Sequence, residues 1–311
     1  METRSPSAAR RGSSAETASP DGTAAPSAQA PGPDGVASDR QVFEPHRIGL
    51  PPLRPYLRDL WERRQFAYEL ARTNLRSQHF NTALGQLWLV LNPLLLALVY
   101  FLLVEIIVAG ARGPEFLAHL MLGLFAFRFM SGSLKQGARS IVGGGRLILN
   151  TAFPRILLPL ASVLTGFMRF LPTLLVYAVM HGIAELPVGP HLLWVLPIFV
   201  ELVLFTAGAT MLVAAVQVYF RDLTSFLPYL TRIWLYASPV LYYASEVPER
   251  YQFILTINPL YPVLASLSDV VDEGGTPSAG LLLAGLAWGI GALIVGSLYF
   301  VSREREFAVR L

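Results

Sequence analysis

Six blocks of apolar residues, most of them long enough to cross a lipid bilayer, occupy the sequence from residue 86 onward. A membrane-spanning helix needs about 20 mainly apolar residues. The blocks cover residues 86–108, 116–134, 156–180, 191–218, 226–244 and 279–301. Composition agrees, since only 14% of the residues are charged, against about 25% in soluble domains. We therefore predict an all-α membrane protein with six transmembrane helices.

The loops between these blocks differ in charge from one side to the other. Segment 135–155 carries four Lys or Arg residues and no acid, and segment 302–311 carries three arginines. Segment 245–278 has five acids and one arginine. Cytoplasmic loops carry the excess of Lys and Arg, so we predict a multi-pass protein of the cytoplasmic membrane with both termini inside. The net charge of +3 then reflects orientation, and no nucleic-acid partner is expected.

The region before the first block divides into two parts. Residues 1–50 are rich in Ala, Ser, Pro and Gly, a composition that cannot bury enough apolar surface to fold, and they are predicted to form a disordered cytoplasmic tail. Residues 51–85 mix arginines with apolar residues at helical spacing, including Trp61, Arg63 and Arg64. This pattern predicts an amphipathic helix in the membrane interface, or else a short cytosolic helix docked on protein. Residues 86–311 form the membrane domain.

Only one of the 24 Lys and Arg residues is a lysine, Lys135, and Gln136 follows it. An ATP-binding P-loop needs a lysine followed by Ser or Thr, because the lysine neutralises the phosphates. The chain is therefore not expected to bind or hydrolyse ATP. If its work needs ATP and Mg²⁺, a second polypeptide has to hold them.

The predicted cytoplasmic loop after the second block contains three glycines, a short apolar stretch and then Pro154. Proline is tolerated in the first turn of a helix, where its missing N–H costs nothing. An exposed apolar segment on a loop is typical of a partner surface. Two interpretations stay open: a short helix that docks on another protein, or a loop that dips into the lipid headgroups.

Aromatic and charged residues also occur inside the predicted spans. Charge in hydrocarbon is costly, so such residues normally face a cavity, pair with one another or reach toward the interface. Aromatic faces with polar tips suit a glycan conduit, although an interfacial aromatic belt explains Tyr242 and Tyr243 equally well. The candidates for lining a channel are Phe125, Phe127, Arg128, Phe129, Trp234 and Tyr236.

Other classes of function receive less support from the residues. The five histidines are scattered, cysteine is absent, and no metal-ligand spacing occurs, so no metal site is expected. Asp269, Asp272 and Glu273 could serve a lipid-modifying enzyme as a base, but a solvated loop explains them more simply. A secondary transporter or flippase for a lipid-linked glycan is the alternative hypothesis, with Glu201 as its best ion-binding acid.

Three short motifs, in order, resemble one transporter family. The first block opens with Leu-Trp-Leu-Val-Leu-Asn-Pro at 87–93, the fourth ends in Tyr-Phe-Arg-Asp-Leu at 219–223, and Ile-Asn-Pro-Leu lies at 257–260. Together with the arginine-rich segment and six blocks, these resemble permeases of ABC type-2 transporters that export O-antigen, teichoic acid and related polysaccharides. Within that family, the likeness is strongest to mycobacterial permeases that export lipid-linked cell-wall galactan.

The resemblance implies a homodimer that pairs with two copies of an ATPase subunit and exports a polyprenyl-diphosphate-linked polysaccharide. It implies that short outer helices carrying Asn258 and Pro259 form a gate, and that the amphipathic segment lies near the ATPase. ATP and Mg²⁺ would belong to that partner, with no cofactor on this chain. The residues implied to couple to the ATPase are Arg146, Leu147, Ile148, Leu149, Phe153, Arg221 and Asp222.

Overall fold

The computed structural model describes residues 52–77, 84–108 and 113–310, and within these ranges every regular element is a helix. The predicted tail 1–50 lies outside the described residues. The α-helices are α1 (Leu53–Glu62), α2 (Arg64–Ser77), α3 (Trp88–Val108), α4 (Gly113–Gly143), α5 (Gly145–Asn150), α6 (Leu157–Ile183), α7 (Val195–Tyr219), α8 (Leu223–Tyr236), α9 (Gln252–Ile257), α10 (Tyr261–Val271), α11 (Ala279–Arg303) and α12 (Phe307–Arg310).

Four stretches of helix in the described residues are long and apolar enough to cross a membrane. They are Glu115–Gly143, Leu157–Ile183, Pro190–Tyr219 and Ala279–Arg310. The pair Glu249–Ile257 and Tyr261–Val271 adds a fifth candidate if it is counted as one broken span. In the first predicted block, the apolar helical stretch is the shorter Trp88–Leu102.

The fifth predicted block, 226–244, is helical only as far as Tyr236, and α8 has 14 residues. Helix α8 ends there because Pro239 has no N–H to donate, and a proline disfavours helical backbone at the residue before it, here Ser238. A helix of 14 residues is about 21 Å long, shorter than a hydrocarbon core of about 30 Å. The structure therefore corrects the length of this block.

Helices α9 and α10 meet at an angle of 107°. Asn258, Pro259 and Leu260 form the break between them, and Pro262 lies in the first turn of α10. Proline at that position costs no hydrogen bond and fixes a helical φ, so the sequence itself starts a new helix there. The segment between the fifth and sixth predicted blocks therefore contains two short helices, α9 and α10, with a sharp break between them.

Helix α4 is the centre of the bundle, in contact with α3, α6, α7, α8 and α10. It is buried along most of its length, and its core residues include Phe116, Leu120, Leu124 and Met130. Because almost every side of α4 is covered by protein, an exposed residue on this helix marks a gap between its neighbours.

Helices α7 and α11 form the most extensive pair. Their backbones touch because glycines lie at the crossing: a Cβ on Gly208 or Gly296 would collide with the backbone of the other helix. Glu201 is buried on the same side of α7, and its carboxylate occupies the space where Gly285 has no side chain. Small residues that allow this close approach are typical of helix packing in membranes.

The amphipathic region forms two helices, α1 and α2, where a single helical region was expected. Ala67 and Ala71 of α2 are buried against Leu157 and Ala161 of α6, so α2 docks on the chain's own body. In contrast, Trp61 of α1 is 68% exposed. Helix α2 thus docks on protein, whereas a place for α1 in the membrane interface stays a prediction.

Two groups of segments lie at opposite ends of the long helices. The "α5 end" comprises α1, α5, the start of α6, the end of α7 and the segment 304–310. The "α10 end" comprises the start of α4, segment 184–194, α9 and α10. Contacts between α5 and α12, and between segment 190–194 and α10, hold the members of each set together.

Candidate functional site

The central helix α4 carries one exposed stripe, and that stripe is basic. Arg128, Lys135 and Arg139 are exposed, although the residues on either side of them are buried or half-buried. Seven and then four residues separate them, so they lie on one face of the helix and cover roughly 16 Å along its axis. Charged groups at this depth normally face a water-filled space or a charged partner. The stripe is therefore the strongest candidate for a polar path along the bundle.

The aromatic residues predicted to lie beside Arg128 are buried, and Phe125 and Phe129 line one cavity with it. Phe125, Phe127 and Phe129 are all buried within the chain. Phe129 stacks on Phe170 of α6, with ring centroids 5.6 Å apart. These rings pack the interior of one chain, so a channel-lining role for them stays a prediction, and Arg128 is the exposed member of the group.

Helix α8 divides its two predicted lining residues between opposite faces. Tyr236 is exposed, as is Arg232 one turn earlier. Trp234 is half-buried, and its indole Nε1 donates to Asn258 Oδ1 at 2.8 Å. Tyr236 is thus on the exposed face of α8, where a channel-lining role stays a prediction, whereas Trp234 fastens α8 to the break between α9 and α10.

Asn258 is the centre of a buried hydrogen-bond network at the α10 end. Its Oδ1 also accepts from the backbone N–H of Leu260 at 3.0 Å. Its Nδ2 donates to Ser238 Oγ at 2.8 Å and to the carbonyl of Ala237 at 3.1 Å. One side chain therefore holds the end of α8 against the start of α10, and Pro259 beside it prevents α9 from continuing. The two predicted gate residues, Asn258 and Pro259, thus lie at the junction of α8, α9 and α10, and their role as a gate stays a prediction.

A second buried polar group at the α10 end joins α4 to α10. The Asp272 carboxylate accepts from Ser268 Oγ at 2.7 Å and lies 2.6 Å from Nδ1 of His119. The His119 ring also contacts Phe116 and Tyr243. From the sequence, Asp272 was expected on a solvated loop. The sequence around Asp272 carries no local signal of its pairing with His119, because 153 residues separate the two partners.

Helix α5 presents a mixed basic and apolar face at the opposite end. Ile148 is 5% exposed and Leu147 is half-buried, so one side of α5 packs on the core. Arg146 is exposed, and Leu149 is 62% exposed. Residues three apart share a helix face. Phe153, just after α5, packs on Phe66 of α2 with centroids 5.1 Å apart.

A buried polar cluster anchors this end to the body of the protein. Glu304, at the end of α11, accepts from the Tyr56 hydroxyl at 2.6 Å and from the backbone N–H of Arg155. The Arg155 guanidinium in turn donates to the carbonyl of Glu304. Burial and the adjacent carboxylate raise the pKa of Tyr56, so its hydroxyl stays protonated and remains a donor. The cluster joins α1, α6 and α11.

The space beside this cluster is an open cavity of about 630 Å³. Its wall includes Asp59, Arg63, Leu149, Phe153 and Arg305. Arg63 also donates to the carbonyl of Ala152 at 2.7 Å, which ties the α1–α2 junction to the segment after α5. Arg64, next to it, lies over the Trp61 ring at 4.6 Å. Of the three predicted interfacial residues, Arg63 therefore contacts the segment that follows the predicted docking helix.

The Tyr-Phe-Arg-Asp motif at the end of α7 lies at the same end. Arg221 Nη2 donates to the carbonyl of Arg310 at 3.1 Å, and Arg221 and Asp222 are both exposed. The Tyr219 hydroxyl donates to Glu306 at 2.6 Å, beneath the Arg310 guanidinium. The motif therefore holds the C-terminal segment, which in turn contacts α5.

Metal binding has no structural basis in the ranges that are described. No group of three or more His, Cys, Asp or Glu side chains in them comes close enough together to hold a metal ion.

Comparison with known proteins adds a family assignment to this geometry. The sequence model of a family described as "ABC-2 type transporter" matches residues 64–271. An O-antigen export system permease protein RfbA of Myxococcus xanthus is 31% identical over 257 residues, which is 81% of this chain and 97% of that protein. A protein of the same name from Klebsiella pneumoniae is 28% identical over 211 residues, 66% of this chain and 79% of that protein.

Proposed function

The chain belongs to the ABC-2 type transporter family, and on that premise we propose that it is the permease subunit of an ATP-driven exporter in the cytoplasmic membrane. Its cargo is a polyprenyl-diphosphate-linked polysaccharide, cell-wall galactan in our proposal. Two copies of the chain form the path, and two copies of a separate ATPase supply the energy.

The observation that carries the proposal is the exposed face of α5. Arg146 and Leu149 point away from the protein on a helix whose other side is buried. An apolar side chain beside a guanidinium, held on a rigid helix, suits a cleft in a partner protein. Helix α5 is then the coupling helix, and the adjoining Arg221 and Asp222 extend the docking surface.

The requirement for a partner has a chemical basis in the sequence. The single lysine lies in the middle of α4, on the basic stripe, and its neighbours do not form a P-loop. ATP and Mg²⁺ therefore belong to the ATPase subunit. Movement of that subunit reaches the membrane helices through α5 and the Glu304 cluster beside it.

The direction of the helices supports six membrane crossings. Helix α2 packs on the start of α6 at the α5 end, whereas the start of α4 contacts α10 through His119 and Asp272. One crossing must therefore lie in between, and α3 provides it. Similarly, α7 ends at the α5 end and α11 starts at the other, so α8 provides a further crossing despite its length.

The same two ends agree with the charge rule. The arginine-rich segments lie at the α5 end, which we assign to the cytoplasm together with both termini. The α10 end, with its broken helices α9 and α10, then faces outward, and the Asn258 network holds an outer gate. Helix α1, with Trp61 exposed, lies in the inner membrane interface.

The cargo assignment rests on the basic stripe and on the family. Arg128, Lys135 and Arg139 form an exposed positive path from the cytoplasmic end of α4 toward its middle, and a diphosphate is a fitting anion for it. The relatives from Klebsiella and Myxococcus are named as O-antigen export permeases. Galactan as the polymer comes from the resemblance to mycobacterial permeases.

Reconstitution tests this function. The chain is co-expressed with its Walker-type ATPase, purified in mild detergent and placed in vesicles with polyprenyl-diphosphate-linked galactan. We expect the two proteins to copurify and the glycan to cross only with ATP. Transport that persists without ATP and stops when a proton ionophore is added would overturn the proposal in favour of a secondary transporter.

Glu201 provides the matched variant for that alternative. It is buried against Gly285 between α7 and α11, away from the exposed stripe of α4. An ion-coupled transporter would lose gradient-driven transport in Glu201→Gln. We expect this variant to keep ATP-dependent transport instead.

A further inference from the structure

A cavity of about 270 Å³ opens between α3, α4 and α6. Its wall combines aromatic side chains with two guanidinium groups, Arg128 from α4 and Arg169 from α6. Asn92 of α3 also lines it. The two arginines lie at the middle of long apolar helices, where positive charge is expensive unless an anion or water compensates for it.

The charges of these arginines are not neutralised by the chain in the parts that the structure describes. Arg169 Nη2 donates to the neutral Gln136 side chain at 2.8 Å, and its Nε is buried without a hydrogen-bond partner. No carboxylate among the described residues forms an ion pair with either arginine. A guanidinium presents five donors in a planar fork that matches phosphate oxygens. Two such forks in one cavity fit a diphosphate.

An apolar groove of about 510 Å³ lies on the same three helices, next to the cavity. Every side chain that lines it is apolar; they include Leu94, Leu98, Met121, Val176, Val179 and Ile183. On each helix the cavity and the groove adjoin within about one turn: Pro93 and Leu94 on α3, Phe125 and Met121 on α4, Thr173 and Val176 on α6. The groove extends from the cavity toward the α10 end.

We propose that this composite surface binds the lipid carrier of the cargo, with the diphosphate on Arg128 and Arg169 and the polyprenyl chain in the groove. The inference deepens the proposed function and rests on it. Charge and orientation agree with this occupant. The arginines lie on the cytoplasmic side of the groove in the orientation proposed above, so a carrier with its head toward the cytoplasm has its diphosphate beside them and its tail in the groove.

Two other occupants would leave different traces. A second copy of the chain would cover the groove with apolar side chains and leave both arginines without an anion. An ordinary anionic phospholipid brings one phosphate and two acyl tails, whereas a polyprenyl diphosphate brings two phosphates and one tail. The pair of unneutralised arginines beside a single groove favours the polyprenyl diphosphate.

Binding to the purified full chain in nanodiscs tests the head-group half of the proposal. Native mass spectrometry with undecaprenyl diphosphate as the probe should give saturable binding, weakened at least tenfold in Arg128→Gln/Arg169→Gln. The control is Arg72→Gln/Arg76→Gln on α2, which removes two exposed arginines that do not line the cavity. Equal binding by the two double variants, or equal binding of phosphatidylglycerol by the native chain, would overturn the assignment.

A pair of groove variants tests the tail half. Val179→Trp fills the groove, whereas Leu175→Trp adds the same bulk one turn earlier on α6, at an exposed residue that does not line it. We expect Val179→Trp to weaken undecaprenyl diphosphate binding several-fold and to leave the shorter farnesyl diphosphate unaffected. Loss of both ligands, or the same loss in Leu175→Trp, would contradict a tail in this groove.

Failure of the carrier site and failure of the proposed ATP-driven export would give different results. Lipid binding needs neither ATP nor the ATPase, so the carrier site would survive a failure of ATP-driven transport. If transport is ATP-driven but the arginine variants bind the carrier as well as the native chain, the site is wrong and the proposed function stands. If a second copy covers the groove instead, two Val179→Cys chains should form a disulfide cross-link that excludes the lipid, and this result would overturn the carrier site.

Discussion

The two ends of the bundle are both fastened by buried polar groups, yet they face their surroundings differently. At the α10 end, Asn258 uses both atoms of its amide inside the chain, bonding Trp234, Ser238 and Leu260. At the α5 end, Glu304 binds Tyr56 and Arg155 just as tightly. Beside it, however, Leu149 is 62% exposed. Exposed apolar side chains also occur at the α10 end, Leu193 among them, so the α5 end is distinguished by the exposed Arg146 that shares a face of α5 with Leu149.

The difference indicates how force would travel through the protein. The Glu304 cluster joins α1, α6 and α11, and the segment after α11 contacts α5, so displacement of α5 moves these elements as one block. At the other end, the Asn258 network ties α8 to α10 alone. In the proposed exporter, a movement of α5 would reach the Asn258 network through the long helices.

Removal of the Glu304 carboxylate should have the largest effect. Glu304→Ala leaves the Arg155 backbone N–H and the Tyr56 hydroxyl without their carboxylate acceptor, so we expect the free energy of unfolding to fall by about 3 kcal/mol. Thermal unfolding in detergent measures this. Glu62→Ala is the control, since this carboxylate also lies at the α5 end but forms an exposed pair with Arg58. An equal loss in both variants would mean that the cluster does not anchor the α5 end.

Loss of the Asn258 hydrogen-bond network should have the next largest effect on stability. Asn258→Ala leaves the Trp234 and Leu260 N–H groups without acceptors, at an expected cost of about 2 kcal/mol. Asn150→Ala, at the exposed end of α5, removes the same amide without burial and should change the unfolding temperature little. If transport is gated at this network, Asn258→Ala should also raise leakage of glycan across vesicles in the absence of ATP. A tight, equally stable variant would refute the gate.

The contact between His119 and Asp272 should matter less, because Ser268 continues to donate to the carboxylate. We expect His119→Leu to lower the free energy of unfolding by about 1 kcal/mol. His191→Leu is the control, since His191 also lies at the α10 end but bonds only the Pro187 carbonyl at 3.2 Å. Hydrogen exchange at the start of α10 provides a local readout, and unchanged protection there would show that this pair does not hold α10.

The exposed face of α5 should contribute almost nothing to stability. Leu149→Asp replaces an exposed side chain, so we expect the free energy of unfolding to change by less than about 0.5 kcal/mol. Affinity for the ATPase subunit should fall about tenfold or more, because a charge enters an apolar contact. Leu193→Asp, 69% exposed at the α10 end, should leave that affinity unchanged. A similar loss in both variants would remove the contrast between the two ends.

Several elements could be predicted from the sequence because their signals are local. Long apolar blocks predicted the four long membrane helices. For the apolar stretch after the three glycines, the sequence left a short helix and a loop in the lipid headgroups open, and the structure has the short helix α5 at residues 145–150. The length of α8 was overestimated because a hydropathy pattern does not register the end of a helix at Pro239. Apolar residues after Pro239, such as Leu241, count toward the block as much as those before it, although the proline has no N–H to continue the backbone hydrogen bonds.

The pairing of polar groups was beyond such reasoning. Tyr56 and Glu304 are separated by 248 residues and Trp234 and Asn258 by 24, and no periodicity connects them. Likewise, Phe125, Phe127 and Phe129 alternate in sequence with Ala126 and Arg128, and only the positions of the neighbouring helices decide which of them is exposed.

The sequence by itself determined that this chain spans a membrane, which of its loops are basic, and that it lacks the lysine motif of an ATPase, because hydrophobicity, charge and residue identity need no neighbours to be read. The tertiary structure alone decided that Glu304 fastens α1 and the start of α6 to the end of α11, that Asn258 fastens α8 to α10, and that Arg128 and Arg169 line one cavity beside an apolar groove. Each of these depends on side chains from separate helices being brought within hydrogen-bonding or van der Waals distance, and packing of the bundle is what brings them there.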